Sequence, residues 1–186
     1  VVQADKGIVV NAVDVTTNGG AMHLEGDSDS DSDSSDTVGI TDGVTLTAET
    51  VITLTASTSG IAPAGKLTLS AKAGVYITDS MTTGTSAKAL VINADSDSSG
   101  SSGTLTVASS KTVTSTKSDV TITAWDLDLD GSLTAGTMAI TIHGAEASQT
   151  IGVGVSTTNM AIEDAELGRM SALEGLMIGS STSGSI

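Results

Sequence analysis

The chain has 186 residues with one Trp, one Tyr, no Phe and no Cys, which excludes disulfides and thiolate metal sites. Its 22 acidic and 7 basic residues give a formal net charge of −15, which disfavours nucleic acids and anionic membranes as partners, since both need clustered Lys or Arg. No apolar run approaches the roughly 20 residues that span a bilayer, so we expect no membrane insertion.

Short segments with alternating apolar residues follow one another along most of the chain. Each is rich in Val, Ile, Leu and Thr and is bounded by Gly, Ser, Asn or Asp, which is the pattern of a β-strand. The predicted strands lie within residues 44–48, 51–56, 66–71, 75–78, 90–94, 104–108, 120–131 and 138–144.

The spacing of these segments predicts the fold. Their centres are separated by multiples of about 7.5 residues, so three strands occupy roughly 22 to 23 residues. That length suits one triangular coil, with a strand on each side and a turn at each corner. The predicted fold class is therefore all-β, a parallel β-solenoid, whose narrow core of stacked small apolar residues explains the scarcity of aromatic side chains.

A longer repeat begins at Gly7 and again at Gly74, and it aligns Asp27–Ser30 with Asp95–Ser98. We interpret this longer period as three coils, because it is close to three times the coil length inferred above. Residues 1–186 then form one solenoid segment with long repeats 7–73 and 74–143 and a variant terminal repeat 144–186. Because the chain begins with Val1 rather than Met, we expect it to belong to a longer repeat polypeptide.

Two acidic runs, at residues 24–39 and 92–103, carry the main candidate site. Carboxylates are the hard oxygen ligands that Ca²⁺ prefers, and Ca²⁺ is the one cofactor that the sequence suggests. The spacing is neither that of an EF-hand nor that of a calcium-binding β-roll, so a solvated, partly disordered insertion is the alternative. We expect both loops to project from one corner of the solenoid. The candidate ligands for weak Ca²⁺ binding are Asp27, Asp29, Asp31, Asp33, Asp36, Asp95 and Asp97.

A second candidate cation site lies in the segment WDLDLDG. If Trp125, Leu127 and Leu129 point inward, the three aspartates between and after them form an outward row, namely Asp126, Asp128 and Asp130. The alternative is an ordinary solvated strand face.

The residues also bear on two further functions. The segments TLTA, TLTV and TITA would place Thr in ladders on stacked coils, a surface suited to ice or crystalline polysaccharide, but the high β-propensity of Thr also explains them. Catalysis is not expected. His23 and His143 lie far apart in sequence without a nucleophile motif, and Arg169 is accompanied only by scattered lysines.

The last fifth of the chain departs from the regular pattern. It contains QTIGVG, MAIEDAELGRM and LMIGSSTSGSI, and the acids from Glu163 to Glu166 followed by Arg169 predict a helical turn. Residues 148–186 resemble the "beta strand repeat" modules of filamentous-haemagglutinin-like exoproteins, while the rest of the chain is similar to them only in composition. The resemblance implies a right-handed parallel β-helix in a secreted, elongated, surface-associated protein. The two acidic loops are a departure from the family pattern.

These observations together predict an extracellular structural repeat protein of a filament, surface layer or adhesin stalk. Its expected partner is a second copy, joined head to tail, because no capping helix is evident at Val1 or Ile186 and open strand edges favour association. A carbohydrate or cell surface is a further candidate partner. The alternative is a binding module for Ca²⁺, carbohydrate or ice on the same scaffold.

Overall fold

The computed structural model describes residues 1–32, 35–84, 88–154 and 157–186, and in these ranges strands follow one another with one short helix. The helix is α1 (Asp164–Leu167). In chain order the strands are β1 (Val2–Gln3), β2 (Ile8–Val10), β3 (Val15–Thr16), β4 (Met22–Glu25), β5 (Val38–Ile40), β6 (Val44–Ala48), β7 (Val51–Thr55), β8 (Ile61–Pro63), β9 (Leu67–Ala71), β10 (Gly74–Ile77), β11 (Met81–Thr82), β12 (Leu90–Asn93), β13 (Thr104–Val107), β14 (Thr112–Thr114), β15 (Val120–Ala124), β16 (Asp126–Leu129), β17 (Ser132–Gly136), β18 (Ala139–Gly144), β19 (Ile151–Val153), β20 (Met160–Ile162), β21 (Met170–Ala172) and β22 (Gly175–Ile178).

Successive strands belong to three parallel sheets in turn, so the chain winds as a triangular β-solenoid. Sheet A has the order β1-β4-β7-β10-β13-β16, and sheet B has the order β2-β5-β8-β11-β14-β17-β21. Sheet C has the order β3-β6-β9-β12-β15-β18-β22, and β19 pairs only with β20. The predicted fold class is confirmed, and every predicted segment contains a strand, but residues 120–131 form two strands, β15 and β16, on different sheets.

The core consists of apolar residues that stack in columns along the solenoid axis. Each strand alternates buried and half-exposed side chains, as period-two alternation requires. One column on sheet C is formed, in register from coil to coil, by Val44, Leu67, Leu90, Val120 and Ile140, all buried. Because each strand buries only one face, the opposite face of every sheet is available to solvent.

Coil length varies because two corners carry insertions. On sheet A, Val75 pairs with Ile52 on one side and with Leu105 on the other, and the coil from Val75 to Leu105 is the longer of the two. The first acidic run lies between β4 and β5, at the corner joining sheets A and B, and the second lies between β12 and β13, at the corner joining sheets C and A. The expectation that both acidic loops project from one corner is therefore wrong.

The long repeat does not correspond to whole coils. Gly7 precedes a strand of sheet B, whereas Gly74 begins a strand of sheet A. The matched segments around Asp27 and Asp95 likewise follow strands of different sheets, because the acidic insertions change the length of a coil. The interpretation of the long period as three coils is wrong, although each coil has the predicted three strands.

The end of the chain covers part of the solenoid. Helix α1 and strand β20 lie over β16, the last strand of sheet A, while β21 and β22 continue sheets B and C. The predicted helical turn is confirmed, and it forms a cap on one sheet that the sequence did not indicate. Among the described residues, no helix is long and apolar enough to span a membrane.

Candidate functional site

Asp27 opens the first acidic run, and it anchors one coil to the next. Its carboxylate accepts hydrogen bonds from the Ser57 hydroxyl, from the Thr58 backbone N–H at 2.9 Å and from the Thr58 hydroxyl at 2.6 Å. These bonds, that of Ser57 first, favour the ionised form and lower the pKa of Asp27. The side chain is buried. Asp27 therefore acts as a structural acceptor rather than an open metal ligand.

The remainder of the first run divides into a buried and an exposed part. Asp36 is buried like Asp27, whereas Asp29 and Asp31 are exposed, and Asp33 lies outside the described residues. The Asp29 carboxylate accepts a hydrogen bond of 3.2 Å from the Asp31 backbone N–H. The alternative that residues 27–36 form a solvated insertion is therefore wrong for the two end residues, because the carboxylates of Asp27 and Asp36 are both buried.

The second acidic run places Asp95 inside the protein and Asp97 outside it. Burial raises the pKa of Asp95, and the nearby carboxylates of Asp97 and Glu146 raise it further. Gly103 closes this loop against the Asp95 backbone with a φ of +98°, a conformation that favours glycine. Glu146 follows β18, two coils beyond Asp95, so sequence spacing gave no indication that it would lie nearby.

The acidic runs do not assemble a recognisable metal site. Across the four described ranges, no group of three or more His, Cys, Asp or Glu side chains is placed to hold a metal ion. Weak Ca²⁺ binding by the seven candidate aspartates stays a prediction. The exposed carboxylates of Asp29, Asp31 and Asp97 are the members of that set best placed to contact an ion from solvent.

The row in WDLDLDG lies on β16 and the residue after it, with Leu127 and Leu129 buried and Asp128 and Asp130 exposed, as predicted. Asp126 is half-buried instead of fully outward. Trp125 is half-buried at the corner before the strand. A cavity of about 440 Å³ lies between this row and the C-terminal segment. Its charged lining consists of Asp126, Asp128, Asp130, Glu163, Glu166 and Arg169.

Glu166 and Arg169 form hydrogen bonds to β16, the strand at the edge of sheet A. The Glu166 carboxylate accepts 2.9 Å hydrogen bonds from the backbone N–H groups of Leu129 and Glu163, and the Arg169 guanidinium donates one of 2.6 Å to the Leu129 carbonyl. The Asp126 carboxylate accepts a 3.1 Å bond from the Ala161 backbone N–H. Polar groups of the strand edge that a further coil would otherwise pair are therefore satisfied by side chains.

Burial raises the pKa values of both Glu166 and Asp126, although each also accepts backbone hydrogen bonds that favour ionisation. Both carboxylates have a structural role because they hold the cap. The sequence analysis did not predict the hydrogen bonds that join the backbone of Leu129 to the side chains of Glu166 and Arg169. Residues so far apart in sequence meet only when the coils stack.

The two histidines lie on different sides of the solenoid. His23 is on sheet A, with Nε2 3.2 Å from the Thr55 hydroxyl, and His143 is on sheet C beside Thr123. They do not form a common site.

The threonines of the TLTA, TLTV and TITA segments divide between two sheets. Thr45 and Thr47 lie on β6 and Thr121 and Thr123 lie on β15, all on the outer face of sheet C. The second TLTA segment, at residues 53–56, and the TLTV segment lie on sheet A. The register of sheet C aligns Thr45 with Thr121 and Thr47 with Thr123 along the axis, as the sequence analysis expected for a ladder.

No match to this chain was found among protein-family models, curated proteins or solved structures. The likeness of residues 148–186 to filamentous-haemagglutinin-like repeats stays a prediction. The functional interpretation therefore depends on the geometry of the chain itself.

Proposed function

We propose that the chain is a non-catalytic structural module of an extracellular filament, surface layer or adhesin stalk, and that it associates head to tail with a second copy. The observation that carries the proposal is the exposure of core positions at both ends of the solenoid. The resemblance of residues 148–186 to surface-associated exoproteins also supports it.

Two residues illustrate this exposure. Val2 lies in the same core column as Leu24, yet Val2 is 52% exposed and Leu24 is 2% exposed. At the other end, Leu176 lies in register with Ile140, and their exposures are 39% and 0%. A further coil at either end would bury such a side chain and stabilise the junction by about 1 kcal/mol for each.

Unpaired strand edges add a directional component. The N-terminal end presents β1, β2 and β3, and the C-terminal end presents β21 and β22. All strands have the same direction, so β2 and β3 of one copy can extend sheets B and C of the next without reversal, while the cap over β16 would face β1. The exposed carboxylates of the acidic loops would remain in solvent and keep the assembly soluble.

Light scattering coupled to size-exclusion chromatography tests this function. We expect the mean mass of the unchanged chain to rise with concentration. Val2→Asp and Leu176→Asp should each lower the association constant by about tenfold or more, because a carboxylate would be buried at the junction.

Tyr76→Asp is the matched control. Tyr76 is 40% exposed but lies on the side of sheet A, away from both ends, so the same change of charge should leave association unaltered. A monomer at every concentration, or equal losses in the control and the end variants, would contradict the proposal. Circular dichroism would establish that each variant keeps its β-structure.

A further inference from the structure

The outer side of sheet C carries two rows of side chains in register, which we call the threonine face. Across β6, β9, β12, β15 and β18 the parallel register has no shift, so equivalent positions align along the axis. The first row is Thr45, Thr68, Val91, Thr121 and Thr141, and the second is Thr47, Ser70, Asn93, Thr123 and His143.

The threonine face contains no Asp, Glu, Lys or Arg, although the chain has a net charge of −15. Charges occur instead at the two corners beside it. The Lys88 ammonium lies 2.8 Å from the Asp42 carboxylate at one corner, and Lys72 pairs with Glu49 at the other. A neutral strip bounded by charged corners suits a neutral binding partner rather than an ion or a charged polymer.

Most hydroxyls of this face lack a partner within the protein. Among the described residues, the Thr45, Thr47, Thr68, Thr121 and Thr141 hydroxyls make no intramolecular hydrogen bond. On sheet A, the corresponding row through Thr53 and Thr106 is interrupted by Tyr76 and ends at the charged residue Asp128. These hydroxyls of sheet C are available to hydrogen-bond water, and their register would place such water molecules at intervals that repeat from coil to coil.

The two rows form a regular lattice. Neighbouring parallel strands lie about 4.8 Å apart, and side chains two residues apart on one strand lie about 6.6 Å apart. These distances are longer than one hydrogen bond between neighbouring water oxygens and are of the same order as the lattice repeats of crystalline ice. Each Thr also presents a methyl group, so water on this face is held by hydroxyls and confined by apolar groups between them.

We propose that the threonine face binds ice. The face is neutral, keeps an unshifted register over five strands and carries unpartnered hydroxyls, four in the first row and that of Thr47 in the second. Neither row contains Trp, Tyr or Phe, the side chains on which sugar rings usually stack, so a crystalline polysaccharide fits the face less well. The inference goes beyond the structural role proposed above, because it concerns the side of the solenoid and not its ends.

Inhibition of ice recrystallisation, measured on a frozen film of the purified chain in sucrose buffer, tests the proposal. The double variant Thr68→Lys with Thr121→Lys places two ammonium groups in the first row, one coil away on either side of Val91. We expect it to need about tenfold more protein for the same inhibition, because charged groups would lose water at the ice contact.

The matched control is Thr53→Lys with Thr106→Lys. These residues occupy the equivalent positions on sheet A, on either side of Tyr76, so fold, charge and spacing of the change are the same. The control should retain the activity of the unchanged chain. Val91→Thr should strengthen inhibition, because it supplies the hydroxyl whose absence interrupts the first row.

Three results would overturn the proposal. They are absence of inhibition by the unchanged chain, equal losses in the sheet C and sheet A variants, and retention by insoluble cellulose or chitin without any effect on ice. Activity that persists in Val2→Asp, where association is weakened, would support ice binding as a property of the side face. The experiments can therefore contradict end-to-end association without contradicting ice binding, and they can contradict ice binding without contradicting end-to-end association.

Discussion

Replacing Glu166 with Ala should open the cap on sheet A while the solenoid beneath it stays folded. Glu166 is 7% exposed and joins the backbone N–H groups of Leu129 and Glu163, on the strand edge and at the start of the helix. Removing the carboxylate leaves both N–H groups without this acceptor. The bonds of Arg169 and Asp126 and the buried side chains of β20 would still hold the cap.

The size of the effect follows from the two bonds. A hydrogen bond to a charged group contributes about 1.5 to 3 kcal/mol, and the burial that raises the pKa of Glu166 offsets part of this. We therefore expect the cap to lose about 2 to 4 kcal/mol of local stability. This loss corresponds to hydrogen-exchange rates of the cap amides that are about 30-fold to 1,000-fold higher.

Native-state hydrogen exchange is the assay. The amides of Leu167 and Gly168 bond to the carbonyls of Glu163 and Asp164, so they report on the cap, and the Ile92 amide reports on the core. Leu167 and Gly168 should exchange faster in Glu166→Ala, and Ile92 should not change. Equal acceleration at all three amides, or none at Leu167, would refute the reasoning.

The same experiment should depend on pH. The folded-state pKa of Glu166 is raised above its ordinary 4.5, and that of Asp126 above 3.8, so the folded cap binds protons more readily than the open one. Cap stability should be greatest below those ordinary values and should fall as pH rises through the folded pKa values. Glu166→Gln should weaken this dependence, leaving the part due to Asp126, beside the charges of Asp128, Glu163 and Arg169.

Three further outcomes are expected. Millimolar CaCl₂ should raise the melting temperature or lateral association more than NaCl of equal ionic strength. Replacing Asp29, Asp31 and Asp97 with Asn should remove this difference between the salts. Identical melting and scattering curves for both salts in the unchanged chain would contradict Ca²⁺ binding by the loops. Replacing residues 28–35 with a short Gly-Ser turn should change the free energy of unfolding little, whereas replacing residues 27–36 should lower it. Only the longer replacement removes the buried side chains of Asp27 and Asp36, and denaturant unfolding would measure the difference. Leu105→Ala should lower the free energy of unfolding by about 2 to 5 kcal/mol and Thr106→Ala by less than about 0.5 kcal/mol, and similar values for both would contradict the assigned strand orientation.

The strands and the coil were predictable because their signals are local. Alternation in segments such as Val44–Ala48 decides which side chains face the core, and it requires no knowledge of the neighbouring strand. Regular spacing then implies a coil of three strands. The Glu163 to Arg169 segment similarly carries its own helix signal, which the structure places at α1.

Position around the triangle depended on the tertiary structure. Similar segments such as those ending at Asp27 and Asp95 lie at different corners, because each intervening turn adds or removes residues and shifts all later strands. Sequence similarity between them therefore says nothing about shared location. The same accumulated shifts align Thr45, Thr68 and Thr121 on one face, although their spacing along the chain is irregular.

The sequence by itself determined an acidic, parallel, three-stranded coil with an apolar interior. Only the tertiary structure decided which distant polar groups meet: Asp27 with Thr58 on the next coil, and Leu129 with Glu166 on the cap. Such pairs form across stacked coils. Their partners are set by the summed lengths of every turn between them, whereas alternation within one strand depends only on the residues of that strand.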